Sequence, residues 1–295
     1  MYDIKAIYEA ESVEHAVKLL NEHPEAQIIA GGSDVLVQIR EGKRAGKELV
    51  SIQGLDEMRG ISYEKDGAIR IGSLTSFSHI TRNPIIKEHI NVLGMAVDQV
   101  GGPQIRNIAT IGGNTCNGVT SADSASTLFA LDAIIEITGP DGVRRIPISE
   151  FYIKAGKVDL KTGELQTAII IPKKSYEGYK GHYIKYAMRN AMDIATMGCS
   201  VNVKLSDDKT IIEDARIAYG VAGPIPMRAT SAEKRIKGCK TDMSEIKAFA
   251  KAVLDDINPR DSWRAAKDFR EHIAVTSAER ALTQSIIDAG GVIHE

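Results

Sequence analysis

Two Gly-Gly pairs, Gly31-Gly32 and Gly112-Gly113, limit what this chain can build more than any other part of it. Each follows an apolar, extended-looking segment (Gln27-Ile28-Ile29-Ala30 and Ala109-Thr110-Ile111), and each precedes small polar residues (Ser33-Asp34 and Asn114). Glycine lacks a Cβ, so its backbone can approach a ligand closely and adopt φ > 0, which lets successive N–H groups converge on an anion. The hydroxyl and amide groups of Ser33, Thr110 and Asn114 suit phosphate oxygens. A fold that joins the two loops holds a pyrophosphate from both sides; one that separates them leaves two tight turns. Glycine pairs are ordinary turn punctuation, and the residues alone leave both readings open.

The rest of the chain narrows the field by exclusion. No GxGxxG opens a βαβ unit and no GxxxxGK[ST], HExxH, CxxC or GxSxG occurs, which removes the usual dinucleotide and triphosphate cradles and the common metalloprotease, zinc-ribbon and serine-hydrolase readings. Cys116, Cys199 and Cys239 are too few and too scattered for disulfides, zinc or an iron–sulfur cluster. A net charge of -2 gives no bulk field favouring nucleic acid or an anionic membrane. The acidic start and the lack of a long apolar run predict a cytoplasmic protein with no membrane segment. The seven histidines show no ligand spacing, and only His182 adjoins a segment of interest.

The 295 residues suggest two domains. Ser12 reads as an N-cap for a helix whose Val13, Ala16, Val17 and Leu20 share a face. Strands are predicted at 27–30, 48–51, 61–63, 68–71, 133–137, 143–148 and 166–171. Helical pattern covers 77–99, with breaks at Pro84 and Gly94, and then 123–131. The glycine-rich stretch 101–114 predicts loop or irregular strand. After a polar linker at 173–178 come strands at 183–189, 195–205 and 212–221 and helices at 243–256 and 263–289. Strands followed by helices, without strict alternation, indicate α+β in both halves. Asp132 and Glu136 read as helix-end and strand-surface carboxylates.

AGGSD near residue 30, PQIRNIATIGGNTCNG at 103–118, SADSA at 121–125 and YIKYAMRNAMDIA at 183–195 together resemble the FAD-binding subunits of the molybdenum hydroxylases, and the pattern is most similar to the flavin subunits of bacterial xanthine dehydrogenases. The resemblance spans essentially the whole chain. It implies a vanillyl-alcohol-oxidase/PCMH-type FAD-binding domain at 1–175 and a smaller α+β domain of the CO dehydrogenase flavoprotein C-terminal type at 176–295.

It also implies site residues. Gln27, Ile28, Ile29, Ala30, Gly31, Gly32, Ser33 and Asp34 would form the first FAD loop, and Ala109, Thr110, Ile111, Gly112, Gly113 and Asn114 the second. Asn117, Asp123 and Leu165 match further FAD contacts. Ile184 and Lys185 match positions that reach the isoalloxazine, where a lysine stabilises negative charge on the reduced ring; composition alone makes Lys185 a solvated strand lysine. Arg106 is expected to brace the second loop and Cys116 to be a small buried thiol.

In the family, substrate is hydroxylated at a molybdopterin centre and electrons cross 2Fe-2S clusters, both in partner subunits. FAD then passes electrons to NAD+ in pairs. The expected function is the flavin subunit of a NAD-dependent xanthine dehydrogenase, an oxidoreductase acting on purines. Carbon monoxide, nicotinate or aldehyde dehydrogenase subunits are the alternatives within the family. A non-catalytic nucleotide-binding or assembly module is the alternative outside it.

Overall fold

A computed structural model describes residues 2–295. The fold grows outward from the strand Leu165–Ile171, which is buried at every position. Its sequence, LQTAIII, is rich in β-branched residues, which suit a strand covered on both faces. It pairs antiparallel with Ile69–Gly72 on one side and Ile134–Gly139 on the other. Ile61–Tyr63 and Gly142–Pro147 complete five strands. Ile71, Ile135 and Ile169 then pack with Phe77, Leu93 and Leu128 from a layer of short helices to form the first core.

A smaller sheet precedes this one. Ile4–Glu9, Lys47–Ser51 and Gln27–Ile29 lie in that order, all parallel. Parallel neighbours need crossover connections, here the helices Val13–Glu22 and Val35–Arg40. Ser12 caps the first as expected, its hydroxyl accepting from the His15 N–H at 3.0 Å. Gln27–Ile29 ends on the first glycine loop, so that loop stands at the C-terminal edge of a parallel sheet, where ligands of α/β units gather.

The second core lies around the antiparallel strands Tyr179–Tyr186, Met197–Leu205, Ile212–Gly220 and Met227–Arg228. The helices Thr230–Ile236, Met243–Ala252 and Lys267–Asp288 cover one face. The opposite face receives Asn91–Asp98 and Asp123–Ala130 from the first half. Among the described residues no helix is long and apolar enough to cross a membrane.

Several expectations need correction. The stretch 101–114 is not loop or strand: Pro103–Ile108 and Ile111–Cys116 are helices. Pro103 sits in the first turn, where its missing N–H costs nothing, and Thr110 caps the second helix through its hydroxyl, 3.1 Å from the Gly113 N–H. The helical run after Phe77 breaks at Asn83 and Ile90, while Gly94 lies inside Asn91–Asp98; side chains on either side of it are buried, and packing overrides propensity. The strand after the linker begins at Tyr179 and ends at Tyr186, not 183–189. Glu136 is no surface carboxylate. It is 7% exposed and accepts from Arg70 and Arg145.

Candidate functional site

The two glycine loops meet. An ideal Cβ on Gly31 would overlap the Ile108 carbonyl oxygen, so only glycine lets the first loop lie against the backbone of the second. Gly32 takes φ +70° and turns the chain away from the strand toward the helix Val35–Arg40. Among the described residues, nothing accepts a hydrogen bond from the backbone N–H of Gly31, Gly32, Ser33 or Asp34. Consecutive unpaired amides at the mouth of a cleft form an anion cradle.

The second loop behaves differently from expectation. Its amides are committed to protein acceptors: Ile111 N–H to Thr75 O at 3.1 Å, Gly112 N–H to Ser73 O at 2.9 Å and Asn114 N–H to Thr110 O at 3.0 Å. Gly112 is glycine for packing, since a Cβ there would come within 2.5 Å of the Ser73 Cβ. Gly113 is open by contrast. A Cβ would meet only Thr110 Oγ1, at 3.0 Å, before entering the cleft. This wall therefore contributes shape and side chains, while the first loop contributes backbone donors.

Between the loops runs a cleft of about 540 Å³, in the range of cofactor sites. Gln27, Ile28, Ala30, Gly31, Gly32, Ser33 and Asp34 line it from the first loop; Ala109, Thr110, Gly112, Gly113, Asn114, Asn117 and Leu165 line it from the far side. Ile29, Ile111, Asp123, Ile184 and Lys185 are not among its lining residues; Ile111 is fully buried beneath it. Sequence reasoning missed Ser73, Phe77, Val100 and Gln166, which also line it. Of these Gln166 had a signal: an amide in an otherwise apolar, fully covered strand.

Two of the missed residues have unmet polar atoms. Ser73 and Gln166 are each 3% exposed, and the Ser73 hydroxyl and Gln166 Nε2 have no hydrogen-bond partner. Gln166 Oε1 is occupied, accepting from Thr115 Oγ1 at 2.8 Å and from the Cys116 thiol at 3.3 Å, so its amide nitrogen is fixed as a donor. Orphaned buried donors cost about 1–3 kcal/mol each unless a ligand meets them. Burial pushes the Cys116 thiol up to about 12, which disfavours the reactive thiolate, but the residue is half-buried rather than buried and lines the cleft. Arg106 braces the loop: its guanidinium donates to the carbonyls of Val100 (3.2 Å) and Gly101 (3.3 Å) and pairs with Asp98.

Asp123 and Lys185 form a separate cluster beside the cleft. Their side chains are 7% exposed and 2.8 Å apart. Tyr183 donates to the other Asp123 oxygen at 2.8 Å, and Lys185 Nζ also donates to Gln99 O at 3.0 Å. Burial raises the Asp123 carboxyl, opposed by Lys185 and Tyr183. Lys185 is thus neither solvated nor an isolated cation. It ties the second sheet to the Gln99-Val100 segment, and Val100 lines the cleft. His182 faces Asp288 at 3.9 Å, away from the cleft.

Residues 2–174 match the family described as FAD binding domain in molybdopterin dehydrogenase. The chain belongs to the FAD-binding subunits of the molybdenum hydroxylases. Residues 182–285 match the CO dehydrogenase flavoprotein C-terminal domain. The xanthine dehydrogenase FAD-binding subunit of Escherichia coli O157:H7 is 40% identical over 294 residues, covering 100% of both chains. The nicotinate dehydrogenase FAD-subunit of Eubacterium barkeri is 30% identical over 251 residues, 83% of this chain and 84% of that one. Carbon monoxide dehydrogenase from Hydrogenophaga pseudoflava contains a chain that superposes with a TM-score of 0.91 at 26% identity, over 98% of this chain and 99% of that one. The residues of the cleft fit the cofactor of this family: unpaired amides and Ser33 for a diphosphate, buried donors at Ser73 and Gln166, and apolar walls for a flat ring system.

Proposed function

We propose that this chain is the FAD-binding subunit of a NAD-dependent xanthine dehydrogenase, working in a cytoplasmic complex with a molybdopterin subunit and a 2Fe-2S subunit. The observation that carries the reading is the 40% identity to a xanthine dehydrogenase FAD-binding subunit over the full length of both chains, against 30% over a shorter span for the nicotinate enzyme's subunit.

Bound FAD supplies interconversion between one-electron and two-electron transfer, which suits iron–sulfur donors on one side and NAD+, a hydride acceptor, on the other. The chain's own residues do the holding. The amides of Gly31 to Asp34 and the Ser33 hydroxyl bind the diphosphate. Ser73 Oγ and Gln166 Nε2, both without a partner in the cleft wall, would donate to the bound cofactor, while Phe77, Val100 and Leu165 would exclude water. Lys185 acts by positioning. Its charge is matched by Asp123, and its ammonium fixes Gln99 beside the cleft wall.

The assembled complex, given xanthine and NAD+, should form NADH, followed by its absorbance at 340 nm. NADH formation from nicotinate but not xanthine, or xanthine oxidation that reduces only a quinone or a dye, would contradict the reading.

A further inference from the structure

Among the described residues that line the cofactor cleft, Arg44 is the one base and Asp34 the one acid. Arg44 lies beyond the first glycine loop and its helix, and the chain folds back to bring it to the cleft. The helix Val35–Arg40 ends in a tight turn, the Glu41 N–H returning to Val37 O at 2.9 Å and the Gly42 N–H to Ile39 O at 3.0 Å. Gly42 then takes φ +82°, a conformation that favours glycine. The N–H groups of Lys43 and Arg44 both reach the Gln38 carbonyl, at 3.0 and 3.4 Å. Backbone bonds alone therefore set Arg44 beside Gln38, one helical turn from Asp34.

The side chains complete the placement. Arg44 Nε donates to Gln38 Oε1 at 2.6 Å, and Gln38 Nε2 donates to Asp34 Oδ2. A side-chain amide between a guanidinium and an ionised carboxylate has only this orientation, because the first cannot accept and the second cannot donate. Gln38 thus fixes the Arg44 side chain and also stands between the two charges. Lys43, the next basic residue, is paired with Glu41 at 2.8 Å and does not line the cleft. Arg44 differs: among the described residues no acid pairs with it, and no protein acceptor meets either of its terminal nitrogens. The residue is half-buried in the cleft wall, so those nitrogens remain within reach of a ligand.

We propose that Arg44 is the phosphate clamp of the cleft, its two terminal nitrogens binding the diphosphate of the cofactor alongside the amides of Gly31 to Asp34. The inference rests on the reading that this cleft holds FAD. Backbone amides offer only partial positive charge, whereas both phosphates of a diphosphate ester are ionised at neutral pH. A wall whose one acid is Asp34 needs a full cation to balance them, and Arg44 is the one it has. A guanidinium with Nε held and both terminal nitrogens free presents the fork that phosphate oxygens match. Gln38 is a positioning residue, aiming that fork without touching the cofactor.

The test titrates FAD into the FAD-free full chain at low and high salt, and records melting temperatures with and without FAD. Arg44→Gln should raise the FAD dissociation constant about ten- to hundredfold, the loss expected of a charge-assisted pair, and flatten its rise with salt. Arg44→Lys should raise it less, because the charge stays while the fork goes. The FAD-free variants should melt with the FAD-free wild-type chain, and FAD should raise the melting temperature of Arg44→Gln less than that of wild type. A wild-type dissociation constant and salt dependence in Arg44→Gln would overturn the proposal. So would equal losses of affinity in both variants together with lower melting of their FAD-free chains, since Arg44 would then only brace its turn. A wild-type chain that binds no FAD would overturn the reading of the cleft itself, a failure distinct from the other two.

Discussion

Gly31 and Gly113 carry the same side chain for different reasons, and substitution should separate them. At Gly31 a Cβ collides with backbone, so Gly31→Ala should destabilise the chain by about 1–3 kcal/mol through overpacking, seen as a lower melting temperature with or without FAD. At Gly113 a side chain projects into the cleft within a helix that tolerates it. Gly113→Val should leave the melting temperature of the FAD-free chain within a degree or two yet abolish FAD retention, measured as flavin released per chain on denaturation. Full flavin content in that variant would show that the second loop is misplaced. The glycines, Ser33 and Asn114 were legible in the sequence because turn chemistry is local. Ser73 and Gln166 were not: an amide in a covered strand marks Gln166 as unusual without saying which cavity it faces, and Ser73, just past the end of Ile69–Gly72, carries no local signal.

Elements were legible where period and capping agreed. Ser12 with its amphipathic helix and the apolar strand Leu165–Ile171 fall within a residue or two of expectation. The helices Pro103–Ile108 and Ile111–Cys116 did not, because glycine content argues against helix, and the second is held by bonds to the Ser73 and Thr75 carbonyls that sequence does not display. Ile4–Glu9 was also missed: its alternating exposure carries only a weak apolar pattern. The larger sheet is pinned across strands by Arg70, Arg145 and Glu136. Burial acts to raise the Glu136 carboxyl, but the two arginines outweigh it and hold it at about 2. A carboxyl depressed in the folded state contributes stability that is present above its ordinary value and lost as pH falls toward the folded one. The melting temperature should therefore fall between about pH 4.5 and pH 2, and Glu136→Gln should flatten part of that fall, by roughly 2 kcal/mol. An identical acid profile in the variant would show that the pair contributes nothing.

Across the whole molecule, ion pairs join the two halves: the buried pair of Asp123 with Lys185, and the more exposed Asp132 with Arg216 and Arg228. None of these pairings could be read from spacing, because partners dozens of residues apart meet only through topology, though the resemblance singled out Asp123 and Lys185. Removing one partner of a buried pair strands the other charge. Lys185→Met should cost about 3–5 kcal/mol at neutral pH. Burial already raises Asp123, so the loss should be smallest in acid and grow as pH rises through the raised value. Asp123→Asn in the same chain should recover part of it. The function of the chain rests on one claim, that the cleft between the glycine loops holds FAD. The visible absorption spectrum of the purified chain tests it most directly. Flavin bands and one FAD per chain are expected; a colourless chain that takes up no added FAD would contradict that claim.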